Sequence, residues 1–151
     1  MPILATNKKI KADYQILEKY EAGVVLTGPE VKSAKTGQIN LKGGYVTIDS
    51  KSQVWLIGAH IARYKPAGPS QTNYQPTRNR KLLLNKKEIK SLLGKLTQAG
   101  LTIMPISVYT KGSLIKVEIA VVRGKKQYDK RQAIKKRDVE REIKRVMRDK
   151  Y

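Results

Sequence analysis

Residues 101–122, LTIMPISVYTKGSLIKVEIAVV, decide the fold class. Residues 101–109 and 114–122 are rich in β-branched and aromatic side chains, and Lys111-Gly112 between them is turn chemistry. The second run sets Ile115, Val117, Ile119 and Val121 at every other position, so an extended chain puts all four on one buried face. Two strands and a tight turn result.

Upstream, Asn85-Lys86-Lys87-Glu88 is a capping-box signature that opens a helix. Ile89, Leu92, Leu93 and Leu96 form its apolar face and Gly100 closes it. Gly94 inside that helix costs about 1 kcal/mol relative to alanine. Residues 63–79 hold three prolines without periodicity, which predicts a long loop. Residues 39–41, 45–48 and 53–59 predict strands, with Gly43-Gly44 and Asp49-Ser50-Lys51 as turns. Thr27-Gly28-Pro29-Glu30 starts a short helix that Gly37 stops. Residues 13–19 and 24–26 predict strand segments broken at Glu21-Ala22-Gly23, and residues 2–12 form a short basic arm.

Many short strands with glycine breaks favour closure, because closure removes sheet edges. The expected fold is mainly β: a small closed antiparallel OB-like β-barrel of about six strands, with two or three helices. A ferredoxin-like α+β sheet is the alternative, but it requires two long helices between strands. The domain division expected is residues 1–123 for barrel and arm, and 124–151 for a basic C-terminal tail.

That tail holds twelve Lys or Arg against five Asp or Glu, so it carries +7 of the chain's +20. Asp129 and Gln132 have capping-box spacing, and Val139, Ile143, Val146 and Met147 make one narrow apolar stripe. Glu140 precedes Lys144 by four residues, the favourable order for a helical ion pair. Such a helix has little to pack on its own domain; the tail is either a solvated basic segment adding only non-specific affinity, or a helix that forms when it meets RNA phosphate.

The remaining residues are still +13, so positive charge is spread over the whole molecule. A pI near 10.2 points to a polyanionic partner whose binding falls steeply with salt. A membrane surface is the weaker candidate, since phenylalanine is absent and no amphipathic helix carries bulky anchors. No signal sequence or membrane span is recognisable, and a cytoplasmic protein is expected. The absence of cysteine excludes disulfides, thiolate chemistry and Cys-type zinc sites. With one histidine, His60, the usual nucleophile–base pairs and metal clusters cannot be assembled. Gly43-Gly44 precede no Lys-Ser or Lys-Thr, so there is no Walker loop. No enzyme, cofactor or metal is expected.

Glu21 has two readings. It is either a turn residue or partner of a nearby lysine, or an acceptor for base edges and ribose hydroxyls of an RNA loop. Tyr20 beside it either stacks on a base or packs in the core. Glu30 reads as an acid in a helix first turn.

The arm Asn7-Lys8-Lys9, the stretch EAGVVLTGPEVKSAKTG (21–37), the run RNRKLLLN (78–85) and GKKQYDKR (124–131) together resemble the SsrA-binding protein (small protein B) family. The motifs stand in the family's order and span essentially the whole chain. The resemblance implies an OB-like barrel that binds the tRNA-like domain of transfer-messenger RNA and enters stalled ribosomes with elongation factor Tu and GTP. It implies RNA contacts at Asn7, Glu21 and Leu83. Lys8, Lys9, Tyr20, Lys32, Arg78, Arg80 and Lys81 in or beside the same motifs complete the expected RNA-binding set. For the tail it implies a helix in the empty mRNA channel, reaching small-subunit ribosomal RNA at the decoding centre. Gly124, Lys125, Lys126, Tyr128, Asp129, Lys130 and Arg131 would begin that contact, and Lys135, Lys136, Arg137, Arg141, Lys144 and Arg145 would continue it. Tyr128 departs from members with histidine there: it keeps a stacking ring and loses imidazole titration. Pro29 replaces larger or more variable residues. A ribosomal protein or a general OB-fold RNA-binding protein is the alternative.

Overall fold

A computed structural model describes residues 2–66 and 73–124. In chain order the elements are β1 (Ile3–Thr6), α1 (Lys9–Asp13), β2 (Tyr14–Val24), α2 (Gly28–Lys35), β3 (Ile39–Asn40) and β4 (Tyr45–Ile48). There follow β5 (Val54–Ile57), β6 (His60–Ile61), β7 (Arg80–Leu83), α3 (Lys86–Leu96), β8 (Leu101–Lys111) and β9 (Leu114–Gly124).

β8 and β9 form the expected hairpin, in register from Leu101↔Arg123 to Lys111↔Leu114. Gly112 turns it at φ +62°, a conformation that L side chains rarely adopt. β9 pairs along its other edge with β2, β2 with β7, β7 with β5, β5 with β4, and β4 returns to β8. Six strands thus make a ring-like antiparallel sheet. Its narrow seams are Val46↔Ile103 between β4 and β8, and Gly23↔Leu83 with Val24↔Leu82 between β2 and β7. β1 adds to the free edge of β8, and β3 pairs with β6 in a separate two-stranded sheet.

The alternation of Ile115, Val117, Ile119 and Val121 faces the main core, where all four are buried with Ala22, Val54 and Leu82. Ala120 and Val122 are buried as well, on the opposite face, where Ile10 of α1 covers them. The end of β9 is therefore apolar on both sides.

Two expectations about β2 and the arm need correction. The strand runs unbroken through Glu21-Ala22-Gly23, and its irregularity lies earlier, between Ile16 and Glu18. Its long pairing with β9 carries the backbone through Gly23, which sits opposite Lys116 on one side and Leu83 on the other. Residues 2–12 are not merely an arm. Ile3–Thr6 pair with β8, and Asn7 docks at the bulge between Pro105 and Ser107. There the Asn7 backbone N–H donates to Ile106 O at 2.7 Å and its side-chain amide to Pro105 O at 3.3 Å.

Both capping boxes form. Glu30 N–H donates to Thr27 Oγ1 at 3.4 Å while Thr27 N–H donates to the Glu30 carboxylate at 2.9 Å. Asn85 and Glu88 repeat the exchange at the start of α3. Gly37 follows the end of α2 at φ +82°. α3 packs through Ile89, Leu92 and Leu96, whereas Leu93 stays 37% exposed and leaves the expected apolar face one residue narrower. Among the described residues no helix is long and apolar enough to cross a membrane.

Candidate nucleic-acid interface

Glu21 lies mid-strand in β2, opposite Glu118 of β9 and one strand short of β8. The hairpin register brings Tyr109 and Lys111 of β8 to it. The Tyr109 hydroxyl donates to Glu21 Oε2, and Lys111 Nζ donates to Oε1 at 3.3 Å. The hydrogen bond from Tyr109 holds the Glu21 carboxyl below its usual range against the opposing effect of burial, and Lys111 adds to the lowering. Burial raises the Tyr109 phenol, as does the bond to Glu21, so that hydroxyl stays a donor. Glu21 is thus an ionised acceptor fixed in position, and 38% of its side chain still faces solvent. It can accept from base amino groups or ribose hydroxyls. The lysine-partner reading is correct in structure, and it leaves the RNA-facing reading open. The turn-residue reading is not.

Beside it, Leu83 of β7 is 53% exposed and sits opposite Gly23. Leu114 at the hairpin end is 59% exposed, and a groove runs between Gly23, Leu83, Leu114 and Lys116. An apolar floor with a cation at its rim suits a nucleobase and its phosphate. Tyr20 faces the core side of β2. Its hydroxyl donates to Glu18 at 2.6 Å and lies 3.0 Å from Ser91 Oγ, so it ties β2 to α3.

Arg80 is placed quite differently from the expected RNA contact. It is 0% exposed, and all five guanidinium N–H groups are engaged. Nε donates to Glu30 at 2.8 Å; Nη1 to Ala59 O and Arg78 O; Nη2 to the Tyr74 hydroxyl and Pro76 O. No donor is left for phosphate, and that expectation is corrected: the residue is buried on β7, opposite the buried Leu56 of β5. Arg78 grips the same Glu30 through Nε at 3.0 Å and through Nη2, with 33% of its side chain exposed. Glu30, read as a first-turn acid, is in addition a buried counter-ion for both arginines. Burial pushes its carboxyl up, but the Arg78 bond, the Thr27 N–H and the Arg80 charge outweigh it and hold it at about 2.

Asn7 is 9% exposed, engaged at the β8 bulge, with Lys8 and Lys9 exposed beside it. Lys32 is exposed on α2, its Nζ 5.8 Å from the Tyr64 ring centre. Lys81 is half-buried on β7. Gly124 ends β9 opposite Tyr14. The expected tail contacts from Lys125 to Arg145, Tyr128 to Arg131 among them, lie outside the described residues. Tyr109, Lys111, Leu114 and Lys116 escaped the sequence reading. Their signal was available in the hairpin register, which sets Tyr109 against Lys116. Among the described residues no group of His, Asp and Glu side chains could hold a metal ion.

The family model "SmpB protein" matches residues 4–149. The SsrA-binding protein of Sulfurihydrogenibium sp. (strain YO3AOP1) is 52% identical over 148 residues, covering 98% of this chain and 95% of that protein. The SsrA-binding protein of Coprothermobacter proteolyticus is 49% identical, with both chains covered fully. A solved structure described as "tmRNA-SmpB: a journey to the center of the bacterial ribosome" has a TM-score of 0.69 and 37% identity, covering 89% of this chain and 95% of that one. With its whole length accounted for in this way, the chain belongs to the SmpB protein family.

Proposed function

We propose that this protein binds the tRNA-like domain of transfer-messenger RNA and brings it to stalled ribosomes for trans-translation. The observation that carries the reading is Glu21, held ionised by Tyr109 and Lys111 next to exposed Leu83 on a molecule of net charge +20. A fixed acceptor on a strongly basic molecule adds specificity to an otherwise electrostatic surface. The names of the relatives and of the similar structure support the same RNA and the ribosome as partners.

In this reading residues 1–123 act as a closed OB-like barrel, and residues 124–151 as the tail that enters the mRNA channel. Lys8, Lys9, Lys32 and Lys81 add phosphate contacts to those of Glu21 and Leu83, while Asn7, Tyr20, Arg78 and Arg80 hold the strands and loops that carry them. Lys125 through Arg145 approach the decoding centre. Elongation factor Tu with GTP joins through the RNA. The protein works in the cytoplasm by binding rather than by catalysis. The test is to purify the protein from cells and sequence the bound RNA. One dominant RNA of transfer-messenger type is expected, whereas stoichiometric ribosomal RNA at every growth state would replace this function with that of a ribosomal protein.

A further inference from the structure

The outer face of β4, β5 and β7 carries side chains that the reading above leaves unused. Val46, Val54, Leu56 and Leu82 are buried in the main core. Strand alternation turns their neighbours Tyr45, Thr47, Trp55, Ile57 and Lys81 to the other side. Register sets Tyr45 opposite Ile57, Thr47 opposite Trp55, and Trp55 opposite Lys81. Tyr45 is 47% exposed, and neither it nor Trp55 packs in either hydrophobic cluster of the described residues.

The indole is nonetheless held in place. Its N–H donates to Asp49 Oδ2 at 2.9 Å, and Asp49 Oδ1 accepts the N–H groups of Lys51 and Gln53, each also at 2.9 Å. The Trp55 bond leads in holding the Asp49 carboxyl below its usual range. The polar edge of the ring is thereby engaged, and what remains to offer a partner is its π surface. An indole fixed outside the described core, with Tyr45 on the same face, needs a reason.

Charge selects the occupant. Lys81 lies directly across from Trp55, Lys51 sits in the adjoining turn, and the nearby carboxylate of Asp49 is already bonded to three N–H groups. The face is continuous with the candidate RNA surface, since Lys81 and Leu83 alternate outward on β7. Val25, 47% exposed, donates its N–H to Lys81 O at 2.9 Å. Aromatic rings with a lysine directly across the strand pair match a nucleotide, which supplies a π face and a phosphate together.

We propose that Tyr45 and Trp55 form a stacking platform for an unpaired nucleotide of the bound RNA, with Lys81 set against its phosphate. This rests on the RNA-binding reading and extends its footprint beyond Glu21 and Leu83.

Trp55 is the chain's one tryptophan, so its emission reports on this face alone. The full-length protein is titrated with the tRNA-like domain of transfer-messenger RNA, following emission and, separately, filter retention. Emission should quench in parallel with binding. Trp55→Leu and Tyr45→Leu should each weaken affinity roughly 5- to 150-fold, the range of one lost base stack. Their salt slopes should match the wild type, whereas Lys81→Gln should lower the slope by about one. Trp55→Phe and Tyr45→Phe keep a ring and should bind almost normally.

Unchanged emission through saturation, or wild-type affinity of Tyr45→Leu and Trp55→Leu, overturns the platform. If Glu21→Ala loses affinity in that same assay, the RNA reading survives the loss. Quenching that requires ribosomes and not the RNA assigns the face to a ribosomal partner and likewise overturns the proposal. Binding no tighter than to unstructured RNA overturns both readings. Should Trp55→Leu fail to fold, wild-type emission and the two Tyr45 variants decide the matter.

Discussion

Glu30 and Arg80, fifty residues apart in sequence, form an ion pair in which neither side chain is exposed to solvent. Arg78 closes on the same carboxylate from the surface side. The Tyr74 hydroxyl lies 3.2 Å from Glu30 and donates to Ile61 O at 2.7 Å. One side chain of α2 therefore ties that helix to β6, to β7 and to the segment before β7. Glu30→Ala leaves the Arg80 guanidinium buried without its counter-ion, and the loss should be about 3–5 kcal/mol. Urea denaturation checks this, and a change below about 1 kcal/mol would show that water or Asp/Glu neighbours can replace Glu30.

Acid should act through the same carboxyl. Its folded value of about 2 lies below the ordinary carboxyl value of 4.5, so the ionised form is favoured by folding. The stabilisation is complete above the unfolded value and disappears as pH falls from about 4.5 toward 2. The stability gap between wild type and Glu30→Gln should accordingly be widest near neutrality and shrink across that window. A gap independent of pH between 6 and about 2.5 would exclude Glu30 as the titrating group.

Gly94 is a correctable weakness. It lies inside α3, and an added Cβ would meet nothing within 4 Å. Gly94→Ala should stabilise the protein by about 0.5–1 kcal/mol and raise Tm by roughly 2–5 °C. Calorimetry on the two proteins decides it; a lower Tm would mean that the helix needs the glycine's backbone freedom.

Glu21→Ala should separate binding from folding. Its ion pair with Lys111 is solvent-exposed, and exposed pairs contribute under about 1 kcal/mol, while the hydrogen bond from Tyr109 adds about 1 kcal/mol more. Tm should move little, while specific affinity for the tRNA-like RNA falls about tenfold or more, as expected for a lost charge-assisted acceptor. Parallel losses of stability and affinity would instead make Glu21 a structural residue.

Truncation should separate binding from rescue. β9 extends to Gly124, with Arg123 opposite Leu101 and Gln15, so the chain can be cut after Gly124 without opening the ring. The product should fold and bind RNA, with affinity reduced only by the lost non-specific charge. Tagging of stalled peptides should vanish. Tagging that persists in a reconstituted translation assay would remove the tail from the mechanism.

The sequence by itself determined the features written in a few consecutive residues. Thr27 with Glu30 and Asn85 with Glu88 announce their helices because a capping box is complete within four positions. Ile115 through Val121 announce a buried strand face by period alone. Net charge of +20 sets the class of partner, since composition needs no fold. Only the tertiary structure decided which charges meet. Glu21 finds Tyr109 and Lys111 at separations of 88 and 90 residues, and Glu30 finds Arg78 and Arg80 at 48 and 50. Those pairings depend on strand register around the ring, which no local pattern encodes. The same strand pairing turned Arg80 inward and carried β2 straight through Gly23, and the packing of α1 buried Ala120 and Val122 beneath Ile10. A basic side chain in sequence is a candidate for phosphate; whether it faces RNA or a buried carboxylate is settled by which side of its strand the ring encloses.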